Sequence, residues 1–502
     1  MKIFKTNQIK EIDRLTIKNT PISSFLLMKR AARAFFETLL PHLSPEKKIY
    51  FTAGSGNNGG DAMVIATLLK KIGISPIVFW VPGKNISEDC QKAYDEFIEQ
   101  KGSIVSVEKI QDLNFDKDSI MIDGLFGSGL NRPVEGLFAD VIKKINESRC
   151  IVFSIDIPSG LFGEDNQKNI PENIINADYT FTFQMPKLSF FHPENEKYLG
   201  KVEILDIQLH PKALEEIPTP FFFTEMMDIQ KLIRQRSKFS HKGSCGHALL
   251  IAGKYGMMGA AVLASKAALK TGCGLITTHA PKKGYEIMQL SIPEAIVSID
   301  ENDECFSKLP DISKFNAIGI GPGLGTDSKS ESALHSLLSQ IASPLVIDAD
   351  AINILAKNKD WLSLLPKKTI LTPHLKEFER LFGMCNSQYE RWLTQLKFST
   401  EYNIIILLKG AYSSISLPDG TLHINSTGNP GMATAGCGDV LTGMIISLLA
   451  QGYTPEESTL LGTWLHGKAA DIYVCDDAME SLIASSIIQN IGKAFLSLEQ
   501  TT

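Results

Sequence analysis

The sequence predicts an α/β protein of two successive domains, each a parallel sheet with crossover helices. Three observations carry that prediction. At 502 residues the chain exceeds what one hydrophobic core ordinarily serves. From about residue 47, strand-like runs alternate with longer helix-like runs, the order expected of βα units. That alternation lapses near residues 215–225 and then begins again.

The first series runs "KIYFTA", "DAMVIATLLKK", "SPIVFWV", "EDCQKAYDEFIEQ", "SIMID" and "IVFSIDIP", and closes with "KVEILDIQL" near 201–209. "HPKALEEIPTP" follows, with prolines and acids but no periodicity, and reads as a linker. The second series runs "GHALLIAGK", an Ala-rich helix over about 259–271, "GLITTHAP", "AIGIGPGLG", "PLVIDADA", "KTILTPH" and "NIIILLKG". The expected domains are 1–215 and 223–502, with ligand sites at the strand C-termini of each sheet.

Composition narrows the class. Apolar residues make up 44% and charged residues 21%, as in a soluble globular protein. A net charge of −6, with no basic block, argues against nucleic acid as a partner. The eight cysteines are scattered without a CxxC pair, which suggests reduced thiols in the cytoplasm. The start "MKIFKTNQIKEIDRL" has no apolar signal core. The longest apolar stretches are broken by Lys254, Lys266 and Asp439, so no membrane span is expected.

"GSGNNG" at 54–59 fits a dinucleotide-binding turn, but the next strand ends "FWVPG" without the acid that would hold a ribose. Polar groups at three strand ends suggest another site. Asn57, Asn58 and Asp61 lie in the first turn, Asp123 ends a later strand before a loop with Arg132, and Asp156 and Ser159 follow the next. Oxygen ligands of this kind suit a hard cation. Taken singly, each is as readily a helix cap.

"AGSGNNGGDAMVIA", "DGLFGSGLNRP", "DIPSGL" and "ADYTFTFQMPK" resemble the YjeF N-terminal family of NAD(P)H-hydrate epimerases, which implies a Rossmann-like three-layer domain. The resemblance implies that Asn58, Asp123 and Ser159 ligate a potassium ion. It implies substrate contacts from Asn57, Asn58, Gly59, Gly60 and Asp61, from the loop Gly127, Ser128, Gly129, Leu130, Asn131, Arg132 and Pro133, and from Asp156 as acid/base. One departure is the "LLMKRAA" stretch, where Lys29 and Ala32 replace the family's usual glutamate and glycine. It keeps open a non-catalytic scaffold role for this half.

In the second half, "GNPGMATAGCGDVLTG" at 428–443 sets glycines around Asp439 and leads into a helix-like stretch. Successive N–H groups in such a turn make an anion cradle, and the helix adds its positive end. Asp439 inside it is placed to take a proton from a hydroxyl as a phosphoryl group arrives, or else merely caps the helix. Lys409 ends a strand, "GIGPGLG" makes a second glycine loop, Asp348 and Asp350 close another strand, and His374 and Glu377 follow "TP". His374 alone reads more often as structural, and His466 in "WLHGKAAD" as a packing residue. No Walker motif occurs.

These stretches together resemble the ribokinase-like YjeF C-terminal family, nucleotide-dependent NAD(P)H-hydrate dehydratases. The resemblance implies that Ala261, Gly323, His374 and Asp439 meet the hydrate. It implies that Lys409, Gly410, Ala411, Tyr412, Ser413 and Gly438 hold the nucleotide, ADP or ATP, with magnesium expected for phosphoryl transfer. Cys437 stands where the family often has Thr or Ser, which predicts weaker nucleotide binding through loss of a hydroxyl donor.

The fusion implies repair of NADH hydrate and NADPH hydrate. One half would interconvert the R and S forms, and the other would dehydrate the S form with ADP, leaving AMP and phosphate. The related family commonly assembles into homo-oligomers. The alternative is a kinase for a small vitamin or sugar alcohol, behind a scaffold.

Overall fold

The computed structural model describes residues 1–341 and 343–499. The chain divides into two compact units. One holds Lys2–Thr219 with Asn386–Glu390, the other Met1, Pro220–Cys385 and Arg391–Thr502.

The amino-terminal unit is built on seven parallel strands among the described residues. Their order is Ser103–Ser106, Ile77–Trp80, Ile49–Ala53, Ile120–Gly124, Ile151–Ile155, Tyr179–Phe183 and Lys201–Leu205. All five residues of Ile49–Ala53 are buried, as in a strand covered on both faces. One face carries the helices Ser24–Leu39, Asn57–Lys71 and Glu88–Glu99, and the other carries Leu137–Asn146. Ser24–Leu39 buries Leu27, Met28, Ala31, Ala32, Phe35 and Leu39, an i, i+3, i+4 stripe. Its entry is capped by Ser23, whose side chain accepts from the Leu26 amide. Strand order reverses between Ile49–Ala53 and Ile120–Gly124, so loops diverge there and leave a crevice.

In the carboxy-terminal unit ten described strands run in the order Phe221–Thr224, Leu422–Asn425, Ser414–Ser416, Ile405–Leu408, Ile370–Leu371, Leu345–Ile347, Ala317–Ile320, His247–Ile251, Leu275–Ala280 and Ile296–Ile299. Ser414–Ser416 is antiparallel to both neighbours, and the other pairs are parallel. Helices Met258–Thr271 and Cys437–Ala450 pack together, closely enough that a Cβ on Gly443 would lie 2.0 Å from the Ala264 carbonyl oxygen. The opposite face carries Ser328–Gln340, Ala349–Lys357 and Leu375–Phe382. The switch in strand order lies between His247–Ile251 and Ala317–Ile320.

The stretch expected to be an aperiodic linker instead forms a short helix, Pro211–Glu216. Pro211 suits a first helical position, and the His210 ring accepts from the Lys212 amide at 3.2 Å. Among the described residues no helix is long and apolar enough to cross a membrane.

Candidate active sites

The amino-terminal crevice is a cleft of about 1200 Å³. Asn57, Asn58 and Asp61 come from the first turns of Asn57–Lys71, and Asp123 from the end of Ile120–Gly124. Asp123 has no exposed surface and is held from four directions. Its Oδ1 accepts from Ser159 Oγ (2.5 Å) and the Leu125 amide (3.3 Å), and its Oδ2 from Ser154 Oγ (2.9 Å) and the Ser159 amide (2.8 Å). Burial pushes this carboxyl above its usual range, and the Ser159 and Ser154 hydrogen bonds pull it partly back. Asn58 Nδ2 donates to the Phe126 carbonyl (3.0 Å), which Ser159 Oγ also approaches at 3.2 Å. Asn58, Asp123 and Ser159 thus converge with a backbone carbonyl into one oxygen-rich knot.

Asp156 follows Ile151–Ile155 in the left-handed region, at φ 65°. Such backbone is rare outside glycine and clusters at functional sites. Its Oδ1 accepts from Lys187 Nζ (2.7 Å), the Phe183 amide (3.1 Å) and Thr182 Oγ1 (3.3 Å). Lys187 is buried and also donates to Thr182 Oγ1 at 3.0 Å. Asp61 sits well above the normal carboxylate range, chiefly through burial and then through the charges of Asp156 and Asp13.

In the carboxy-terminal unit Gly436, at φ 89°, caps the helix Cys437–Ala450 and turns the glycine-rich loop onto its N-terminus. Asp439 lies in the first turn. Burial and the neighbouring Asp348 and Asp350 push it up to about 7, against the pull of Lys409. Lys409 Nζ donates to Asp348 Oδ1 (2.9 Å), and Thr442 Oγ1 to Asp348 Oδ2 (2.7 Å). Burial would lower Lys409, but the charges of Asp348 and Glu377 outweigh it and hold the ammonium above its ordinary value. A Cβ on Gly438 would lie 3.2 Å from Lys409 Nζ, so cradle and cation adjoin. The loop's entry is tied to the helix Pro455–Asp476, because Asp471 accepts from the Gly428 amide and from Asn429 Nδ2, both at 3.0 Å. His374 caps Leu375–Phe382, its Nδ1 accepting from the Lys376 and Glu377 amides.

These two sites find counterparts in known proteins. A family model described as YjeF-related protein N-terminus matches residues 24–189, and one described as NAD(P)H-hydrate dehydratase matches residues 248–493. A bifunctional NAD(P)H-hydrate repair enzyme of Moorella thermoacetica is 31% identical over the whole of this chain and 98% of its own length. One from Thermofilum pendens is also 31% identical, over the whole chain and 97% of its length. The chain belongs to the bifunctional NAD(P)H-hydrate repair family. A ribokinase-like protein of Enterococcus faecalis matches at 26% identity and a TM-score of 0.50, over 57% of this chain and 98% of the other.

Within this family frame some expected site residues sit elsewhere. Gly59 and Gly60 do not line the cleft. They are buried where the helix presses on its neighbours, since a Cβ on Gly59 would lie 1.7 Å from the Gly54 carbonyl oxygen and one on Gly60 would strike Met28. Asn131 is exposed and does not line the cleft, whereas Gly127, Ser128, Gly129, Leu130, Arg132 and Pro133 do. Ala261 has no exposed surface and packs into the core, and its neighbour Ala260 is the residue that faces Gly323. Gly410, Ala411 and Tyr412 are exposed, and Ser413 half-buried, on the turn after Lys409. His466 is buried, and burial pushes it down to about 4.

Two sequence departures resolve differently from expectation. The Cys437 side chain is buried in an apolar cluster with Val440, Met444 and Trp464, and burial raises its thiol to about 11 against a hydrogen bond from the Thr434 backbone. Lys29 does not line the cleft. It pairs with Glu96 at 2.6 Å and lies over the Phe25 ring.

Sequence reasoning missed Lys187, Thr182, Thr442 and Asp471. Lys187 and Asp471 end motifs whose other members drew attention, and polar residues closing such motifs are the signal that was passed over.

Proposed function

We propose that the amino-terminal unit interconverts the R and S hydrates of NADH and NADPH, and that the carboxy-terminal unit dehydrates the S form at the expense of ADP. Kinship along the whole chain with named bifunctional repair enzymes carries this reading. The geometry gives each unit a matching apparatus.

In the carboxy-terminal unit Asp439 takes the proton of the C6 hydroxyl as its oxygen attacks the terminal phosphoryl of ADP, and AMP departs. Helix N-terminal amides and the glycine loop stabilise the phosphoryl oxygens, and Lys409 balances the adjoining carboxylates. Hydroxide leaves poorly and phosphate leaves well. The ring nitrogen then expels phosphate, and loss of the C5 proton restores the reduced nicotinamide. Magnesium commonly binds through one or two carboxylates and the substrate's phosphates, and Asp348 and Glu377, whose charges flank Lys409, are the carboxylates that would hold it. In the amino-terminal unit Asn58, Asp123, Ser159 and the Phe126 carbonyl form an all-oxygen donor set suited to potassium. There the ion would brace the 123–133 loop against the cleft, while Asp156 serves as acid/base.

Incubating the full chain with mixed hydrate epimers, and with ADP or ATP in turn, tests the reading. Complete recovery of reduced-nicotinamide absorbance, with phosphate release, is the expected result. Recovery that stops when the S form is exhausted would remove the epimerase, and a stable phosphorylated product would make the second unit a kinase.

A further inference from the structure

The cleft of the amino-terminal unit has a wall that lies outside the matched family segment. Helix Thr6–Asn19 precedes residues 24–189 and presents Thr6, Ile9, Lys10, Asp13 and Ile17 to the cleft. Their spacing of three, one, three and four residues marks a single helical face. Glu11 and Arg14, on another face, pair with each other instead. Asp13 is thus the one acid this helix directs into the cleft. Of the four other carboxyls that line the cleft, Asp61 and Asp156 are the two coupled to it by charge, and the buried ammonium of Lys187 opposes them. Lys187 is spent on Asp156 and Thr182.

We propose that Asp13 is a catalytic residue of the amino-terminal site, the acid that holds a proton opposite the Lys187-paired carboxylate of Asp156. The proposal rests on the epimerase reading. Asp13, Asp61 and Asp156 act on one another with Lys187 as the counter-charge, so protons are retained among them; Lys84, Arg132, Asp89 and Glu135 line the same cleft. Burial and the Asp156 charge push Asp13 up to about 7, while Lys187 pulls the other way. Lys10 and Asp61 also face this space, whereas Lys212, Glu215 and Glu216 on the helix Pro211–Glu216 are exposed and outside the cleft.

The chemistry of a hydrate needs such a pair. C6 carries both a hydroxyl and the bond to N1. Asp156 takes the hydroxyl proton, the O–H electrons become the second C–O bond, and the C6–N1 bond breaks with its pair on N1. N1 takes the proton of Asp13. Rotation about C5–C6 presents the other carbonyl face, N1 attacks it, and both protons return to their donors. Nothing is consumed, and C6 is inverted.

The test follows R-to-S conversion of purified hydrate by the full chain without nucleotide, above the uncatalysed background, and S-hydrate dehydration with ADP separately. Asp13→Asn is expected to lower the epimerisation kcat by about 10²-fold or more, with KM within about threefold and dehydration unchanged. The wild-type rate should fall as pH rises through about 7, where Asp13 loses its proton, and Asp13→Asn should lack that limb. Asp13→Glu should keep partial activity with the limb moved in pH, which a merely structural role would not require. Epimerisation by Asp13→Asn within threefold of wild type, or an unchanged pH limb, would overturn the assignment while leaving the epimerase reading intact. Wild-type protein that fails to convert the R form would overturn both. If Asp13→Asn unfolds the unit, Asp13→Glu decides alone: a kcat limb moved in pH supports the role, and an unmoved one refutes it.

Discussion

At the scale of single residues, the two proposed reaction centres each contain a carboxyl that burial has made less acidic, Asp13 and Asp439. Asp439 must be ionised to accept a proton, so dehydration kcat/KM should rise with pH through about 7. Asp439→Asn should lower it by about 10³-fold and leave epimerisation untouched. The same residue costs stability. Its carboxyl titrates higher folded than unfolded, so the native state holds the proton more tightly and stability falls as pH rises from about 4 to 7. Asp439→Asn should therefore melt higher than wild type at pH 8, and that advantage should vanish near pH 4. Cys437 offers the opposite case. Cys437→Thr should leave the ADP KM within about twofold while destabilising the protein by about 1–2 kcal/mol, because it buries a hydroxyl in an apolar cluster. Thermal melting and initial rates on one preparation check both statements.

At the scale of elements, the helices and strands that carry the sites were largely legible, because apolar runs and glycine turns mark strand ends directly. Asn58, Asp123 and Ser159, widely separated in sequence, do meet. Less legible was which glycines touch ligand space and which merely permit packing, since both uses leave the same letter. Gly59 and Gly60 leave no room for a side chain, and only tertiary contact reveals that. The side of a helix on which Cys437 or Ala261 falls was also hidden, because Cys437–Ala450 and Met258–Thr271 each show little apolar asymmetry. The tie from Pro455–Asp476 to the loop gives an element-level prediction. Asp471→Ala strands the Gly428 amide and frees Asn429, and should lower dehydration kcat/KM by about 10-fold with epimerisation unchanged. Steady-state kinetics of each half-reaction measure it.

At the scale of the whole molecule, both units are doubly wound: the amino-terminal cleft lies where strand order reverses, and in the carboxy-terminal unit Asp348, His374 and Lys409 follow three adjacent strands beside that point. The first turn of each unit's signature is glycine-rich, yet one frames oxygen ligands and the other an anion cradle. The two-domain plan followed from length and repeated alternation. The division of labour did not, because a crevice at a switch point hosts many chemistries. If the units work by passing free hydrate, Asp156→Asn and Asp439→Asn should each fail to restore R hydrate to reduced cofactor. Mixing the two variants should recover at least about half the wild-type rate. Absorbance recovery from pure R hydrate with ADP is the measurement. A mixture as inert as its parts would contradict independent units.

The left-handed backbone at Asp156 bears on how this enzyme can change. Among residues with a side chain, aspartate and asparagine tolerate that conformation best, and glycine adopts it freely. A mutational scan scored for protein abundance should favour Asn and Gly there, while a scan scored for epimerisation should accept neither. On the proposed acid/base role the position thus admits few folded substitutes and, among them, no working one. Drift at this site has nowhere to go without losing the reaction.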